Sequence, residues 1–234
     1  MKIRFLGQSG YLLESGNYSI MIDPYLSDSV NRASGKARLL PIPIEPRDFS
    51  CDAVICTHDH LDHLDPDTVT AMKDSQLFIT TNGGKERLAA LGRNNVTAIV
   101  EGESVKIGDF AITAVFADHT VEAFGVIVKA EGKTLYFSGD TLYNEKLFGI
   151  KKYSPDVTFI CINGRLGNMN VEEALVTAKQ IGARINIPTH YDMFASNSED
   201  PRLFADNIDG GVILEFNKEY EIKRNGTCVS IGKI

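Results

Sequence analysis

The sequence predicts an α/β fold in which β-sheets are covered by helices. Short strands dominate the first two thirds of the 234 residues, helical patterns separate some of them, and the last third alternates strands with helices. Such elements bury their apolar faces by stacking helices on sheets. The apolar content of 43% and charged content of 24% are ordinary for a globular protein. We therefore expect residues 1–234 to form a single domain.

Strands are predicted wherever short apolar runs are bounded by turn residues. A long loop rich in proline and charge, residues 24–50, follows the third strand. The last two strands of this part are joined by Glu131-Gly132, which is typical of a hairpin turn. In chain order the predicted strands cover residues 2–6, 10–14, 18–23, 52–57, 76–81, 96–100, 103–107, 110–117, 124–130 and 133–138.

Two helices are predicted between these strands. Asp65 followed by Pro66 places a capping residue before a proline in the first helical turn, so a helix should cover 66–74. A second helix should cover 83–91 and end at Gly92.

The last third begins with a predicted strand over 156–162. Asn170 and Glu173 then have the spacing of a capping box, and Gly182 marks the end of the helix that it begins. Apolar residues at helical spacing support this helix: Ala174, Leu175, Ala178 and Ile181. The remaining predictions are a strand at 184–189, a short helix at 201–208 and closing strands at 212–216, 219–223 and 227–231.

Charge and composition exclude several classes of protein. A net charge of −7 argues against a broad nucleic-acid or anionic-membrane surface, because both need a basic face. No segment has the length and apolarity of a membrane span or a signal peptide, so we expect a cytoplasmic protein. The cysteines do not form a Cys-x-x-Cys pair and are expected to be small buried apolar residues: Cys51, Cys56, Cys161 and Cys228.

The most informative segment, residues 57–65, reads Thr-His-Asp-His-Leu-Asp-His-Leu-Asp. It contains three of the five histidines in the chain. Imidazole and carboxylate groups bind divalent metals. His58 and His60 lie two residues apart and would share one side of extended backbone, whereas Asp62 and His63 come from the following turn and could reach a second centre. The alternative is a solvated acidic loop with incidental histidines.

Three other residues with metal-ligand chemistry also follow predicted strands. His119 follows the strand 110–117, Asp140 follows 133–138, and His190 follows 184–189. Each signal is weak alone, since a histidine at a strand end or an aspartate in a turn is common. Their repetition is what a site built from loops at one sheet edge requires.

The order His-x-His-x-Asp-His, followed by a later His, an Asp and a final His, resembles the metallo-β-lactamase superfamily. Within it the chain is most similar to the lactonase-like branch typified by L-ascorbate-6-phosphate lactonase. The resemblance extends over nearly the whole chain and includes the segments 5–10, 22–27, 57–65, 162–170 and 187–194. It implies an αββα sandwich with two mixed sheets flanked by helices, and a site at one edge of both sheets.

The resemblance also implies two divalent metal ions, Mn or Zn. His58, His60 and His119 would bind the first ion and Asp62, His63 and His190 the second, and Asp140 would bridge both. A hydroxide that bridges the metals would be the nucleophile, because two cations stabilise it near neutral pH. Asp62 and Asp140 would act in catalysis, Asp62 as a proton acceptor as well as a ligand.

Candidate substrate contacts follow the last strands before the site. Asn163, Arg165 and Tyr191 are the candidates, and Arg165 could pair with a phosphate or carboxylate, although a solvated surface arginine fits the sequence as well. Arg32, Lys36 and Arg38 of the loop 24–50 could add positive charge, and part of that loop could be disordered. Asp23 either ends a strand before Pro24 or hydrogen-bonds to a ligand histidine and orients its ring.

These observations predict a metal-dependent hydrolase, a lactonase or esterase acting on a small anionic metabolite such as a sugar phosphate. The sequence is compatible with a homo-oligomer. One alternative is a phosphodiesterase or nuclease with the same two metals, although the net charge of −7 disfavours a polynucleotide substrate. The other alternative is a metal-binding protein without turnover. The complete set of seven ligands argues against it, because such a protein does not need two metals and an open position for water.

Overall fold

A computed structural model describes residues 1–234, and its strands form two mixed sheets. The strands are β1 Lys2–Gly7, β2 Gly10–Ser15, β3 Tyr18–Ile22, β4 Ala53–Ile55, β5 Phe78–Thr80, β6 Val96–Ala98, β7 Ser104–Ile107, β8 Phe110–Val115, β9 Gly125–Ala130, β10 Lys133–Phe137, β11 Val157–Cys161, β12 Ile185–Thr189, β13 Glu219–Asn225 and β14 Cys228–Lys233.

The first sheet has eight strands in the order β14-β13-β1-β2-β3-β4-β5-β6. The pairs from β14 to β3 are antiparallel, and those from β3 to β6 are parallel. Because β2 runs against both of its neighbours, β1, β3 and β4 all point the same way. Their carboxyl ends therefore meet at one edge of this sheet.

The second sheet has six strands in the order β12-β11-β10-β9-β8-β7. The pairs β12/β11 and β11/β10 are parallel, and the remaining pairs are antiparallel. Since β9 runs against both β8 and β10, the strands β8, β10, β11 and β12 share one direction. The loops that follow these four strands lie at one edge of the second sheet.

Five α-helices accompany the sheets: α1 Ser29–Ser34, α2 Pro66–Ala71, α3 Asn82–Ala90, α4 Val171–Ile181 and α5 Arg202–Ala205. Two 3₁₀ segments cover Pro46–Asp48 and Glu145–Tyr153. The capping box predicted at the start of α4 is confirmed: the Asn170 side chain accepts from the Glu173 amide, and the Glu173 side chain accepts from the Asn170 amide. No helix of the structure is both long and apolar enough to cross a membrane.

Alternation along the strands separates two apolar layers, because successive side chains point to opposite faces of a sheet. One set of residues from β1–β3 fills the core between the sheets: Ile3, Phe5, Tyr11, Leu13, Ile20 and Ile22. The Tyr11 ring lies 4.8 Å from that of Phe159 in the opposite sheet, centroid to centroid.

The other face of the first sheet packs against α2 and α3, through a cluster that includes Leu6, Leu12, Met21, Val69 and Leu88. Helix α4 packs on β11 of the second sheet. The predicted α/β class, two mixed sheets flanked by helices, is confirmed.

The structure corrects several predicted elements. The strand predicted over 212–216 is absent. This part of the chain pairs with β12 only through the bridge between Asn186 and Gly211, and it then turns at Asn217 into β13. The predicted helix over 201–208 is confined to α5. The 3₁₀ segment Glu145–Tyr153 had no sequence prediction.

Arg38 holds the loop 24–50 together and does not offer its charge to a substrate. The Arg38 guanidinium donates hydrogen bonds to the backbone carbonyls of Leu40, Pro41, Tyr25 and Ser27. Arg32 pairs with Asp67 of α2. Two of the three loop cations are therefore engaged in structural contacts.

The Asp65→Ala variant tests the connection between this loop and α2. Asp65 is fully buried and caps α2: its side chain accepts from the Asp67 amide and the Thr68 hydroxyl, and it also accepts from Ser27 at 2.8 Å. Removing it leaves these donors without an acceptor, so we expect a loss of about 2 kcal/mol in the free energy of unfolding. Urea unfolding measures this loss, and the exposed Asp109→Ala change is the control. Equal stability of both variants would contradict the assignment.

Candidate metal centre

The candidate metal centre lies where the carboxyl-end edges of the two sheets meet. Thr57 to His63 follow β4, His119 follows β8, Asp140 follows β10, and His190 directly follows β12. A backbone hydrogen bond of 2.8 Å from the His190 amide to the Gln8 carbonyl joins the end of β12 to the end of β1. All seven predicted metal ligands are therefore brought to one place by strand direction.

A first group consists of His58, His60 and His119, whose nitrogen atoms lie within 4.8 Å of one another. The His60 Nδ1 atom is 3.2 Å from the His119 Nε2 atom. Since a carbonyl can only accept, His119 donates its Nδ1 proton to the Gly167 carbonyl at 3.0 Å, which leaves Nε2 free to bind a cation. His58 is fully buried, whereas His60 and His119 are half-buried.

A second group consists of Asp62, His63 and His190, with ligand atoms again within 4.8 Å of one another. The Asp62 Oδ2 atom lies 3.5 Å from His190 Nε2 and 3.8 Å from His63 Nε2. The two histidines are buried, and the Asp62 side chain is 18% exposed. The centre thus has a closed side made by His63 and His190 and an open side that a substrate can approach.

Asp140 connects the two groups. Its Oδ1 atom lies 3.1 Å from His63 Nε2 and its Oδ2 atom lies 3.3 Å from His190 Nε2, and it forms a third candidate group with His58 and His63. The Nε2 atoms of His58 and His63 and the Oδ1 atom of Asp140 are buried without a hydrogen-bond partner. Buried polar atoms that converge without bonding to each other fit divalent cations, since unpaired burial is otherwise costly.

Asp23 anchors the closed side of the centre. Its Oδ2 atom lies 2.8 Å from His63 Nδ1 and also accepts from the Thr57 hydroxyl, and its Oδ1 atom accepts from the Thr57 amide at 2.7 Å. Because the carboxylate accepts the Nδ1 proton, His63 presents Nε2 to the centre. Of the two sequence interpretations of Asp23, the structure supports the hydrogen bond to a candidate ligand.

The backbone is strained at three positions around the centre. Gln8, Asp23 and His190 have φ angles of 56°, 43° and 65°, in the left-handed region that non-glycine residues seldom adopt. Such conformations persist only where the surrounding structure enforces them, and they concentrate at functional sites.

Carboxylates keep two of the buried histidines protonated before a metal binds. Burial lowers the pKa of His190, but Asp140 and Asp62 outweigh it and raise this pKa to about 9. Burial likewise opposes protonation of His63, yet the carboxylates of Asp140, Asp23 and Asp62 hold its pKa well above the ordinary value. Burial and the neighbouring His63 hold the pKa of His58 well below its usual range, so that ring stays neutral.

Metal binding at pH 7 is therefore expected to release about two protons, because His63 and His190 must lose theirs to act as ligands. The apparent metal affinity should rise as pH rises through the His190 pKa of about 9. The pairing of His190 with the carboxylates contributes stability to the metal-free protein below pH about 6.5, and this contribution is lost as pH rises through about 9. Titration calorimetry in buffers of different ionisation enthalpy measures the protons, and a binding enthalpy independent of buffer would contradict the prediction.

Two predicted substrate contacts are corrected by the structure. Tyr191 is buried, its ring lies 5.6 Å from that of Phe5, and its hydroxyl faces the Leu214 carbonyl, so it belongs to the core. Asn163 is also buried and has both ends of its amide occupied: it donates to Asn197 and accepts from Asn168. Asn163 thus orders the loop beside the site and is not free to bind a substrate.

Arg165 is the predicted substrate contact that remains available. It is exposed, and one guanidinium nitrogen donates to the Ser198 carbonyl at 2.9 Å. The next residue, Leu166, is 63% exposed with a φ of 56°. Gly167 of the same loop accepts the hydrogen bond from His119, which places Arg165 two residues from a direct contact with a candidate ligand.

Sequence reasoning did not assign a role to Gln8 or Thr57. Gln8 is fully buried, and its Nε2 atom lies 2.7 Å from Asp62 Oδ2. Thr57 donates to both carboxylate oxygens of Asp23, from its amide and from its hydroxyl, and so connects Asp23 to the end of β4. A polar residue in a glycine-containing turn carries no ligand signature, so only the fold reveals these contacts.

Known proteins are similar to this chain over most of its length. A family model described as Beta-lactamase superfamily domain matches residues 18–191. A UPF0173 metal-dependent hydrolase from Methanosphaera stadtmanae is 31% identical, over 91% of this chain and 93% of that protein. Another from Methanospirillum hungatei is 30% identical, over 96% of this chain and 100% of that protein.

A solved structure has the same fold. It is that of a metallo hydrolase from the hyperthermophilic archaeon Ignicoccus hospitalis, which aligns with a TM-score of 0.76 at 23% identity, over 95% of this chain and 99% of that one. At this identity the similarity concerns the fold alone.

Proposed function

The chain belongs to the beta-lactamase superfamily, and on that premise we propose that it is a metal-dependent hydrolase that opens a lactone, or cleaves a similar ester, of a small anionic metabolite. The observation that carries the proposal is the convergence of buried, unpartnered imidazole and carboxylate atoms at a centre with one open side. We propose that the whole chain acts as one domain in the cytoplasm.

Two divalent ions, Mn or Zn, are proposed as cofactors. His58, His60 and His119 would hold one, Asp62, His63 and His190 the other, and Asp140 lies where it would touch both. The donors are imidazole and carboxylate without thiolate, which suits either metal. Bound there, the ions would activate water for attack and polarise the oxygen of the attacked carbonyl group.

The residues of the chain supply positioning and proton transfer. Asp23 fixes the ring of His63 through Nδ1, on the side opposite Asp140, and the two oxygens of Asp140 lie beside the Nε2 atoms of His63 and His190. Asp62 is the carboxylate of the centre with a partly exposed side chain, so the oxygen that does not face His63 and His190 can receive a proton and return it to the leaving alcohol or to solvent. Burial on the closed side excludes bulk water and strengthens these electrostatic interactions.

A protein nucleophile is not needed, and the nearby thiols cannot provide one. Burial and the Asp140 carboxylate raise the pKa of Cys161 to about 11, and burial raises that of Cys56 well above its usual value. Both thiols therefore stay protonated, whereas the thiolate is the reactive form. Water is the nucleophile consistent with this site, which makes the reaction a hydrolysis.

Arg165 is proposed to bind the anionic group of the substrate, a carboxylate or a phosphate such as that of a sugar phosphate. Arg165→Ala should raise KM for anionic esters about 10- to 100-fold with little change in kcat, because it removes a charge-assisted hydrogen bond away from the reacting bond. Steady-state kinetics on a charged and a neutral ester of equal size checks this, with Leu166→Ala as the control from the same loop. An equal effect on both esters would contradict the role.

The proposed reaction is tested by parallel assays of the metal-loaded protein. We expect hydrolysis of a panel of lactones and short esters and much slower hydrolysis of bis(p-nitrophenyl) phosphate. Strong diesterase activity without lactonase activity would replace the proposal by a small-substrate phosphodiesterase. No turnover on a broad panel at full metal occupancy would favour a metal-binding protein without catalysis.

A further inference from the structure

The orientation of His119, a ligand of the proposed first metal group, depends on a loop from another part of the chain. Its Nδ1 atom lies 3.0 Å from the Gly167 carbonyl oxygen, and its Nε2 atom lies 3.2 Å from His60 Nδ1. Since the carbonyl can only accept, it keeps the proton on Nδ1 and directs Nε2 toward the group. The place of the Gly167 carbonyl therefore decides which nitrogen of His119 can reach a cation.

Gly167 lies in direct contact with the His119 ring. A Cβ atom at position 167 would be 2.9 Å from both Cε1 and Nδ1 of His119 and 3.1 Å from Thr120 Cγ2. The φ of 92° at Gly167 is also one that residues with a side chain rarely adopt. The contact thus needs both a glycine and a loop that is held firmly in place.

The loop that contains Gly167 has no helix or strand of its own. It covers residues 162–170, between β11 and α4. Backbone hydrogen bonds hold its two ends: the Gly164 amide donates to the Met169 carbonyl at 2.9 Å, and the Met169 amide donates to the Thr141 carbonyl at 2.8 Å. Gly167 takes part in neither bond, so other contacts must fix the middle of the loop.

Three buried asparagine side chains connect this loop to the one that follows His190. Asn163, Asn168 and Asn197 are each at most 5% exposed. Asn168 donates to the Asn163 side-chain oxygen at 2.9 Å, and Asn163 donates to the Asn197 side-chain oxygen at 2.8 Å. Asn163 also donates to the Arg165 carbonyl at 3.2 Å. Buried hydrogen-bond networks of this kind rigidify the backbone that they connect.

The last bond of this chain of amides acts directly on the contact with His119. The Gly167 carbonyl belongs to the peptide group that joins Gly167 to Asn168. Because the Asn168 side chain is bound to Asn163, the direction of that peptide group is fixed from inside the protein.

We propose that Asn163, Asn168 and Asn197 are positioning residues for the first metal position. They hold the Gly167 carbonyl against His119, so that this histidine offers Nε2 to the cation. The inference rests on the two-metal centre of the proposed function. It gives Asn163 a role in metal binding, through His119, in place of the substrate contact that the sequence predicted.

Four variants test this role. Asn163→Ala removes the central amide, and Asn197→Ala removes only the acceptor at the end of the chain. Asn197→Asp keeps an oxygen that can accept from Asn163, so it should behave like the unaltered protein. Asn207→Ala, at an exposed asparagine beyond the end of α5, is the control for a change of the same type elsewhere.

The measurement is nuclear magnetic resonance of the histidine rings. All five histidines are proposed ligands, three at the first position and two at the second, so their signals report each position separately during a Zn²⁺ titration. The ¹⁵N shifts of the metal-free protein show which nitrogen of a neutral His119 ring carries the proton, and the backbone amide spectrum shows that each variant folds.

We expect His119 to be protonated at Nδ1 alone in the unaltered protein, in Asn197→Asp and in Asn207→Ala. Asn163→Ala should contain both tautomers of His119, and its first position should bind Zn²⁺ about tenfold more weakly. Asn197→Ala should show a smaller effect in the same direction. The affinity of the second position should be unchanged in all four variants.

The inference is overturned if Asn163→Ala keeps both the His119 tautomer and the affinity of the first position. It is also overturned if Asn163→Ala weakens both positions equally, as a general loss of structure would, or if Asn197→Asp weakens the first position as much as Asn197→Ala.

Failure of the proposed function gives different results. Two bound ions without lactone or ester hydrolysis would refute the reaction and leave the positioning role in place. If the protein bound no metal, the two-metal centre would be refuted, whereas the His119 tautomer of the metal-free variants would still decide whether the asparagines orient this ring.

Discussion

Replacing Asp140 with alanine is expected to abolish turnover and to lower the metal content of the protein. The Asp140 carboxylate has its two oxygens 3.1 Å and 3.3 Å from the Nε2 atoms of His63 and His190, and it also forms a candidate group with His58. Its removal takes away a negative charge and a shared ligand at once. Metal activation contributes several kcal/mol to such reactions, so we expect kcat to fall by about 10³-fold or more.

The metal content of purified Asp140→Ala, measured by mass spectrometry after gel filtration, checks the first effect, and ester hydrolysis checks the second. Asp140→Asn is the matched control, since it keeps the volume and one oxygen but loses the charge, and it should retain more metal than Asp140→Ala. Full activity of Asp140→Ala with an unaltered metal content would show that the two-metal assignment is wrong.

Replacing Asp23 has the second largest expected effect, on both stability and metal affinity. Asp23→Ala leaves the buried Thr57 amide, the Thr57 hydroxyl and the His63 ring without an acceptor. Each unpaired group costs about 1–3 kcal/mol, so we expect a loss of about 3 kcal/mol in the free energy of unfolding. The freed His63 ring should reduce metal affinity about 10- to 100-fold.

Asp23→Asn separates the two effects. Asparagine tolerates the φ of 43° and still accepts from the Thr57 amide, but its NH₂ group cannot accept the His63 Nδ1 proton. We expect most of the stability to be retained and the metal affinity to be lost as in Asp23→Ala. Urea unfolding of the metal-free variants and metal titration measure the two quantities. Unaltered affinity in Asp23→Asn would mean that Asp23 does not orient His63.

The sequence predicted the helices and strands whose limits depend on neighbouring residues. Short apolar runs bounded by turn residues predicted the strands whose two faces are buried, and the spacing of Asn170, Glu173 and Gly182 predicted the limits of α4. The predicted superfamily is confirmed, because its family model matches residues 18–191. The lactonase-like branch stays a prediction.

The order of the strands within each sheet could not be predicted from short sequence patterns. Strands β13 and β14 pair beside β1 although more than 200 residues separate Lys2 from its partner Glu221, and a pattern in either segment does not specify that partner. The same long-range packing turned the Tyr191 ring into the core.

The candidate site divides in the same way. The seven predicted metal ligands carry distinctive side chains directly after strands, and the fold brings them together. Gln8 and Arg38 have common side chains whose roles depend on backbone conformation and on distant carbonyl groups or ligands. Only the three-dimensional structure therefore reveals the contacts of Gln8 and Arg38.

The central claim, a two-metal centre built from seven side chains, is tested most directly by a crystal structure of the Mn-loaded protein with anomalous scattering. We predict two anomalous peaks, one among His58, His60 and His119 and one among Asp62, His63 and His190, with Asp140 in contact with both. A protein saturated with metal that shows a single peak outside these groups, or no peak at this sheet edge, would contradict the claim.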